Sequence, residues 1–178
     1  MKNKKVLWIT TTAVFVALLI GAQVATASFS QFVTGSLVNL ILIVSVMTCG
    51  LSSGLTVAFI SPIFAKLLGI GPLWAIIPFI ILGNAVLVLA WRAIGKRKFA
   101  NAHIVRIVAL FVAAVCKFLM LYVGIVQVAV PLLLNLPEQA AAKISVLFSF
   151  PQLITASIGG ALALIILPVV EMVRKNRE

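Results

Sequence analysis

Six apolar runs, most of them near the length of a membrane-crossing helix, divide this chain and constrain its fold more than any single motif. They cover roughly residues 6–27, 34–49, 51–69, 72–91, 104–130 and 151–173. A bilayer-crossing helix needs about 20 mostly apolar residues. Without water in the hydrocarbon core, only helices and closed barrels satisfy their own backbone groups. The runs lack the polar-in, apolar-out alternation of barrel strands, so they predict helices. Composition agrees. Of 178 residues, 63% are hydrophobic and 10% charged, more apolar surface than a soluble domain of this size can bury. The expected fold is all-α: one integral membrane domain over residues 1–178, a compact bundle of six transmembrane helices.

The net charge of +11 does not point to nucleic acid, because the charges fall in short clusters between apolar runs. Lys2, Lys4 and Lys5 precede the first run. Arg92, Lys96, Arg97, Lys98 and Arg106 join the fourth to the fifth. Arg174, Lys175 and Arg177 follow the sixth. Eleven of the fourteen basic residues thus share one side of a six-span arrangement, and the positive-inside rule puts both termini in the cytoplasm. Five spans would send the last cluster outside. The N-terminus resembles a secretory signal ending at Ala25-Thr26-Ala27. Its apolar run of about 20 residues is span length, however, so it is expected to remain as the first helix. Outer loops are expected at 28–35, 69–72 and 131–150, the last holding a short helix over Glu138–Leu147. Cys49 and Cys116 read as reduced small hydrophobes, and one histidine is too few for a structural zinc site.

Lys117 is the anomaly. It lies thirteen residues from Ile104 and thirteen from Val130, about 20 Å of helix from either end, too far to snorkel easily. The only acidic residues are Glu138, Glu171 and Glu178, none at its depth. A mid-membrane cation without a counter-ion is costly. It must meet neutral partners, give up its proton or receive an anion from outside. Asn84 of the fourth run falls at similar depth. Gly124 and Gln127 share the broad face of Lys117 nearer the outer end, and Gln152 opens the last run. Tyr122 sits half a turn away. One reading is an outward-facing pocket in which Lys117 takes a carboxylate and Asn84, Gln127 and Gln152 give neutral hydrogen bonds. The other is a structural polar network held by Asn84 and backbone carbonyls. The first is preferred, since intramembrane ionisable groups are functional by default.

Loop 28–34 adds Phe29, Gln31 and Phe32 where a ligand would enter, with an interfacial aromatic belt as the alternative for the two rings. Trp74 and Trp91 fit that belt. Asn39 is a further candidate that could instead satisfy a neighbouring helix. Glu171 lies within helical reach of Arg174. No catalytic triad, carboxylate pair, metal cluster or phosphate-binding G-x-x-x-x-G-K-[ST] loop can be built from these residues. The expectation is therefore no enzyme and no cofactor.

Ala13, Ala17, Gly21 and Ala25 recur every four residues and make one small-residue ridge, suited to close helix approach within the bundle or to docking on another membrane protein. An N-terminal helix with this Ala13-Val14-Phe15-Val16-Ala17 pattern resembles the substrate-binding S component of an energy-coupling factor (ECF) transporter. Gly83-Asn84 and the stretch Phe150-Pro151-Gln152-Leu153-Ile154-Thr155-Ala156-Ser157-Ile158-Gly159-Gly160 are similar too. The resemblance spans essentially the whole chain. It implies a high-affinity subunit for a vitamin or related micronutrient in a prokaryotic plasma membrane, working with a membrane coupling protein and two cytoplasmic ATPases. It further implies that Ala13 and Ala17 touch the coupling protein, that loop 28–34 helps gate the site, and that the subunit topples to carry its ligand inward. A buried cation favours a carboxylated vitamin, pantothenate first, with nicotinate, biotin and neutral ring compounds open. The competing readings are a solitary secondary carrier for a small organic anion and a non-transporting membrane scaffold.

Overall fold

The computed structural model describes residues 4–97 and 100–175. Lys2, Lys98, Arg177 and Glu178, used in the charge count, lie outside the described residues, as do the side chains of Lys4, Arg174 and Lys175.

Among the described residues all regular structure is helical. The helices are α1 (Lys4–Ala25), α2 (Gln31–Cys49), α3 (Leu51–Leu67), α4 (Ile77–Gly95), α5 (Ala102–Leu121), α6 (Glu138–Leu147) and α7 (Phe150–Lys175). A 3-10 turn, Trp74–Ile76, leads into α4, and α5 runs on as a π-helical segment, Tyr122–Leu133. Five helical stretches are long and apolar enough to cross a membrane, and α3 is a shorter apolar helix of 17 residues. The 138–147 helix forms over the expected range. Boundaries move by a few residues: α2 starts at Gln31 rather than 34, α4 starts at Ile77 and continues past Arg92, and α5 starts at Ala102.

Local chemistry explains several of these ends. Pro78 sits in the first turn of α4, where a missing N–H costs nothing. The Asn101 side chain caps α5 by accepting from the His103 backbone N–H at 3.2 Å, filling one of the orphan donors of a helix start. A single residue, Gly50, joins α2 to α3. It has φ 93° and ψ 176°, a region open almost only to glycine. Gly50→Ala should therefore lower stability by about 1–3 kcal/mol. An unchanged melting temperature would show that the link tolerates another conformation.

α2 is the hub and packs against α1, α3, α4 and α7, while α5 packs on α4 and α7. The main core joins Leu42, Val46, Val57, Leu87, Trp91 and Leu167. A smaller cluster around Ile76, Leu121, Ile125 and Phe148 closes the other end. Phe111, Leu132, Ile165 and Val169 point outward. So broad an apolar exterior suits a lipid surround far better than water.

One expectation is corrected, and the Glu171–Arg174 pairing rests on a side chain outside the described residues. Trp91 is no belt residue: it is fully buried in the core, beside Met47 and Gly95, whereas Trp74 is exposed. The reason is that α4 turns the Trp91 face toward α2. Glu171 pairs with Arg106, whose Nη2 donates to Oε1 at 2.8 Å and Oε2 at 2.6 Å. Arg106 lies inside α5 rather than in a loop, and α5 packs directly on α7.

Candidate ligand-binding cavity

A cavity of about 460 Å³ opens among α1, α2, α3, α4, α5 and the start of α7. That volume suits a small organic molecule. Most of its wall is apolar, with Val38, Pro62, Ile80, Leu121 and Phe148 contributing. The polar groups converge from different helices, so each is fixed by packing rather than by a mobile loop.

Lys117 is the one ionisable side chain in the lining among the described residues, and it is 4% exposed. Its Nζ donates to Asn39 Oδ1 at 2.5 Å and to Asn84 Oδ1 at 2.7 Å. Lys117 also lines the cavity, so its nitrogen stands between these two acceptors and the cavity space. Both asparagines must turn oxygen toward the lysine, because a lysine ammonium only donates. They come from α2 and α4, and Lys117 from α5, so three helices meet at this nitrogen. Among the described residues no Asp or Glu lines the cavity. The site is thus a neutral-walled pocket with a single ionisable anchor.

The polar groups continue toward the rim. Asn39 Nδ2 donates to Thr155 Oγ1 at 3.4 Å, and Thr155 Oγ1 donates to the Gln152 carbonyl at 3.2 Å. Gln152 Nε2 and Gln31 Nε2 both donate to the Leu147 carbonyl, at 3.0 Å and 2.9 Å. That shared carbonyl ties the starts of α2 and α7 to the end of α6. Phe29, from the loop between α1 and α2, completes this rim while remaining largely exposed.

Six of the seven sequence-selected ligand residues therefore line one cavity: Lys117, Asn84, Asn39, Gln152, Gln31 and Phe29. Gln127 does not, and its assignment is corrected. It is exposed, and its Nε2 donates to the Tyr122 hydroxyl at 3.0 Å. A π-helix brings residues five apart into register, so Gln127 stacks on Tyr122 instead of returning to the Lys117 face. Gly124, on the same segment, is buried against Phe79.

The α1 ridge faces away from the bundle. Ala13, Ala17, Gly21 and Ala25 are all exposed, and a Cβ at Gly21 would meet nothing within 4 Å. Packing inside this bundle is therefore not its role.

The structure adds Gln23, Ser61 and Thr155, which spacing alone does not select. Gln23 and Ser61 line the cavity, and Thr155 supports Asn39. Gln23 carries the same signal as Asn84, a lone amide inside an apolar run. Ser61 precedes Pro62, a proline inside α3. Comparison with protein-family models, with curated proteins and with solved structures returns no match.

Proposed function

We propose that the chain is the membrane-embedded substrate-binding subunit of an energy-coupling-factor importer, taking a water-soluble vitamin or related micronutrient. The observation that carries this reading is the cavity with its one ionisable lining residue, Lys117, held by Asn39 and Asn84; as an ammonium it would have one N–H left for a ligand acceptor. A carboxylated ligand fits best, with pantothenate the first candidate, because one anion would neutralise the one charge in the cavity lining.

The apolar exterior and long helices support a multi-pass membrane protein, which this reading takes as six spans in a prokaryotic plasma membrane. In that arrangement the Arg106–Glu171 pair belongs at the cytoplasmic boundary, and the terminal basic clusters put both ends inside. The cavity rim at Phe29, Gln31 and Gln152 then opens outward. The sequence holds no phosphate-binding G-x-x-x-x-G-K-[ST] loop, so energy from ATP would enter through two cytoplasmic ATPases and a membrane coupling protein. The outward ridge Ala13-Ala17-Gly21 is the surface assigned to that coupling protein, since small residues let helix backbones approach closely.

Affinity purification from the native host tests the assignment. The wild-type chain should bring down two ATPases and one membrane protein. The double substitution Ala13→Leu with Ala17→Leu should reduce that recovery at least about tenfold, because two bulky side chains hold the helices apart. It should leave the melting temperature unchanged, as both positions are exposed. Normal assembly of the double variant would remove the docking assignment. Ligand uptake by the chain alone, with no ATPase recovered, would favour a solitary carrier.

A further inference from the structure

Among the described residues, two buried polar atoms, Gln23 Oε1 and Ser61 Oγ, have no hydrogen-bond partner, and both residues line the cavity. Buried polar atoms are nearly always paired, and each exception asks for an explanation. Finding both exceptions on one cavity wall is informative. Ser61 is the sharper case, being fully buried. Other helical hydroxyls here settle their donor locally: Thr26, Ser36, Thr48 and Ser145 each donate to the carbonyl four residues earlier. That is the usual resolution in apolar helices, and Ser61 does not use it.

The two come from other helices than the lysine. Gln23 is on α1 and Ser61 on α3, helices that pack on each other. Lys117 is on α5, which packs on α4 and α7. The cavity lining therefore combines a lysine donor from one helix with an amide oxygen and a hydroxyl from two others. The lining also includes the apolar side chains of Val38, Pro62, Ile80 and Leu121.

We infer that Gln23 and Ser61 determine specificity, and that the ligand is bifunctional. It presents an acceptor, a carboxylate or carbonyl oxygen, to Lys117, and an N–H or O–H donor to Gln23 Oε1 and Ser61, with an apolar body between. The inference rests on the cavity being the ligand site of the proposed function. A simple carboxylate without a donor at its far end would leave Gln23 Oε1 buried and unpaired, and would lose about tenfold to a hundredfold in affinity. This is the strong form of selectivity, in which a site built for a hydrogen bond rejects analogues that lack it.

The test is binding to the purified protein in lipid nanodiscs. Pantothenate and biotin are the donor-bearing carboxylate probes and nicotinate the carboxylate probe without a donor. Gln23→Met, Ser61→Ala and Lys117→Met are the variants. Pantothenate or biotin should bind the wild type, and Gln23→Met should weaken that binding about tenfold to a hundredfold. The ligand-free Gln23→Met and Ser61→Ala proteins should melt no lower than wild type, because neither residue has a protein partner to lose. A purely structural role would move the melting temperature and not the selectivity. Binding that depends on Lys117 but stays within about twofold in Gln23→Met and Ser61→Ala overturns the inference and leaves the site standing. Binding of nicotinate alone, or a lower melting temperature for ligand-free Gln23→Met, also overturns it. If no probe binds, or Lys117→Met leaves affinity unchanged, the ligand site itself falls and the inference with it.

Discussion

Lys117→Met should abolish ligand binding, weakening it by about a hundredfold or more, while the protein still folds. The binding loss follows from removing the only cationic donor in the cavity lining, for which truncating one member of a buried charged contact typically costs about 2–5 kcal/mol. The fold survives because two effects oppose each other. Asn39 Oδ1 and Asn84 Oδ1 lose their donor, at about 1–3 kcal/mol for buried acceptors left unmet. In exchange, a cationic group that is costly at this depth is gone, and methionine fills a similar volume with a flexible apolar chain. Binding titration together with the melting temperature separates the two terms. Unchanged affinity would make Lys117 a structural member of the polar network. Lys117→Arg should not rescue binding, since a planar guanidinium cannot fit where two asparagine oxygens already grip a compact ammonium.

The heart of this site is legible in the sequence because charge in an apolar run is scarce and costly. Lys117 stands out for that reason alone, and a depth count along two runs finds Asn84. The structure brings the pair to 2.7 Å even though α4 begins at Ile77, later than the apolar run suggests. Asn39 is legible only as an isolated amide; that its oxygen joins Asn84 on the same lysine depends on α2 being the hub of the bundle. Gln127 fails for a physical reason that spacing cannot reveal. The count from Lys117 assumes 100° per residue, and the π segment from Tyr122 onward breaks that periodicity. Gln23 and Ser61 lie on α1 and α3, and nothing in their local sequence says that those helices face the cavity.

The fold divides along the same line. The helical type and the α6 helix follow from apolar length and from prolines, which act locally. Which face of a helix turns inward is a tertiary property. Trp91 has the position of a belt residue and the environment of a core residue, because the α4 face on which it sits lies against α2. Glu171 has a helical neighbour in Arg174 and a cross-helix partner in Arg106. The second becomes visible only once α5 and α7 are seen to pack together.

Gly159→Ala should be the most damaging single methyl in the bundle. A Cβ there would lie 2.6 Å from the Ser36 carbonyl oxygen, 2.7 Å from Asn39 Cβ and 2.9 Å from Leu40 N. Two of these are backbone atoms and cannot rotate aside, so α7 must move off α2. Overpacking of this kind costs about 1–3 kcal/mol, occasionally more. Asn39 is part of the obstruction and also holds Lys117, so the displacement reaches the cavity. Ligand affinity should fall about tenfold along with the melting temperature. Gly160→Ala is the matched control: its Cβ would meet only the Leu110 side chain, at 2.8 Å to Cγ, which can shift, so the loss should be smaller and should spare binding. Gly21→Ala, with nothing within 4 Å, should be neutral or stabilising, since alanine favours helix by about 1 kcal/mol over glycine. Equal effects at 159 and 160 would mean that the α2–α7 contact yields as a whole and does not position Asn39.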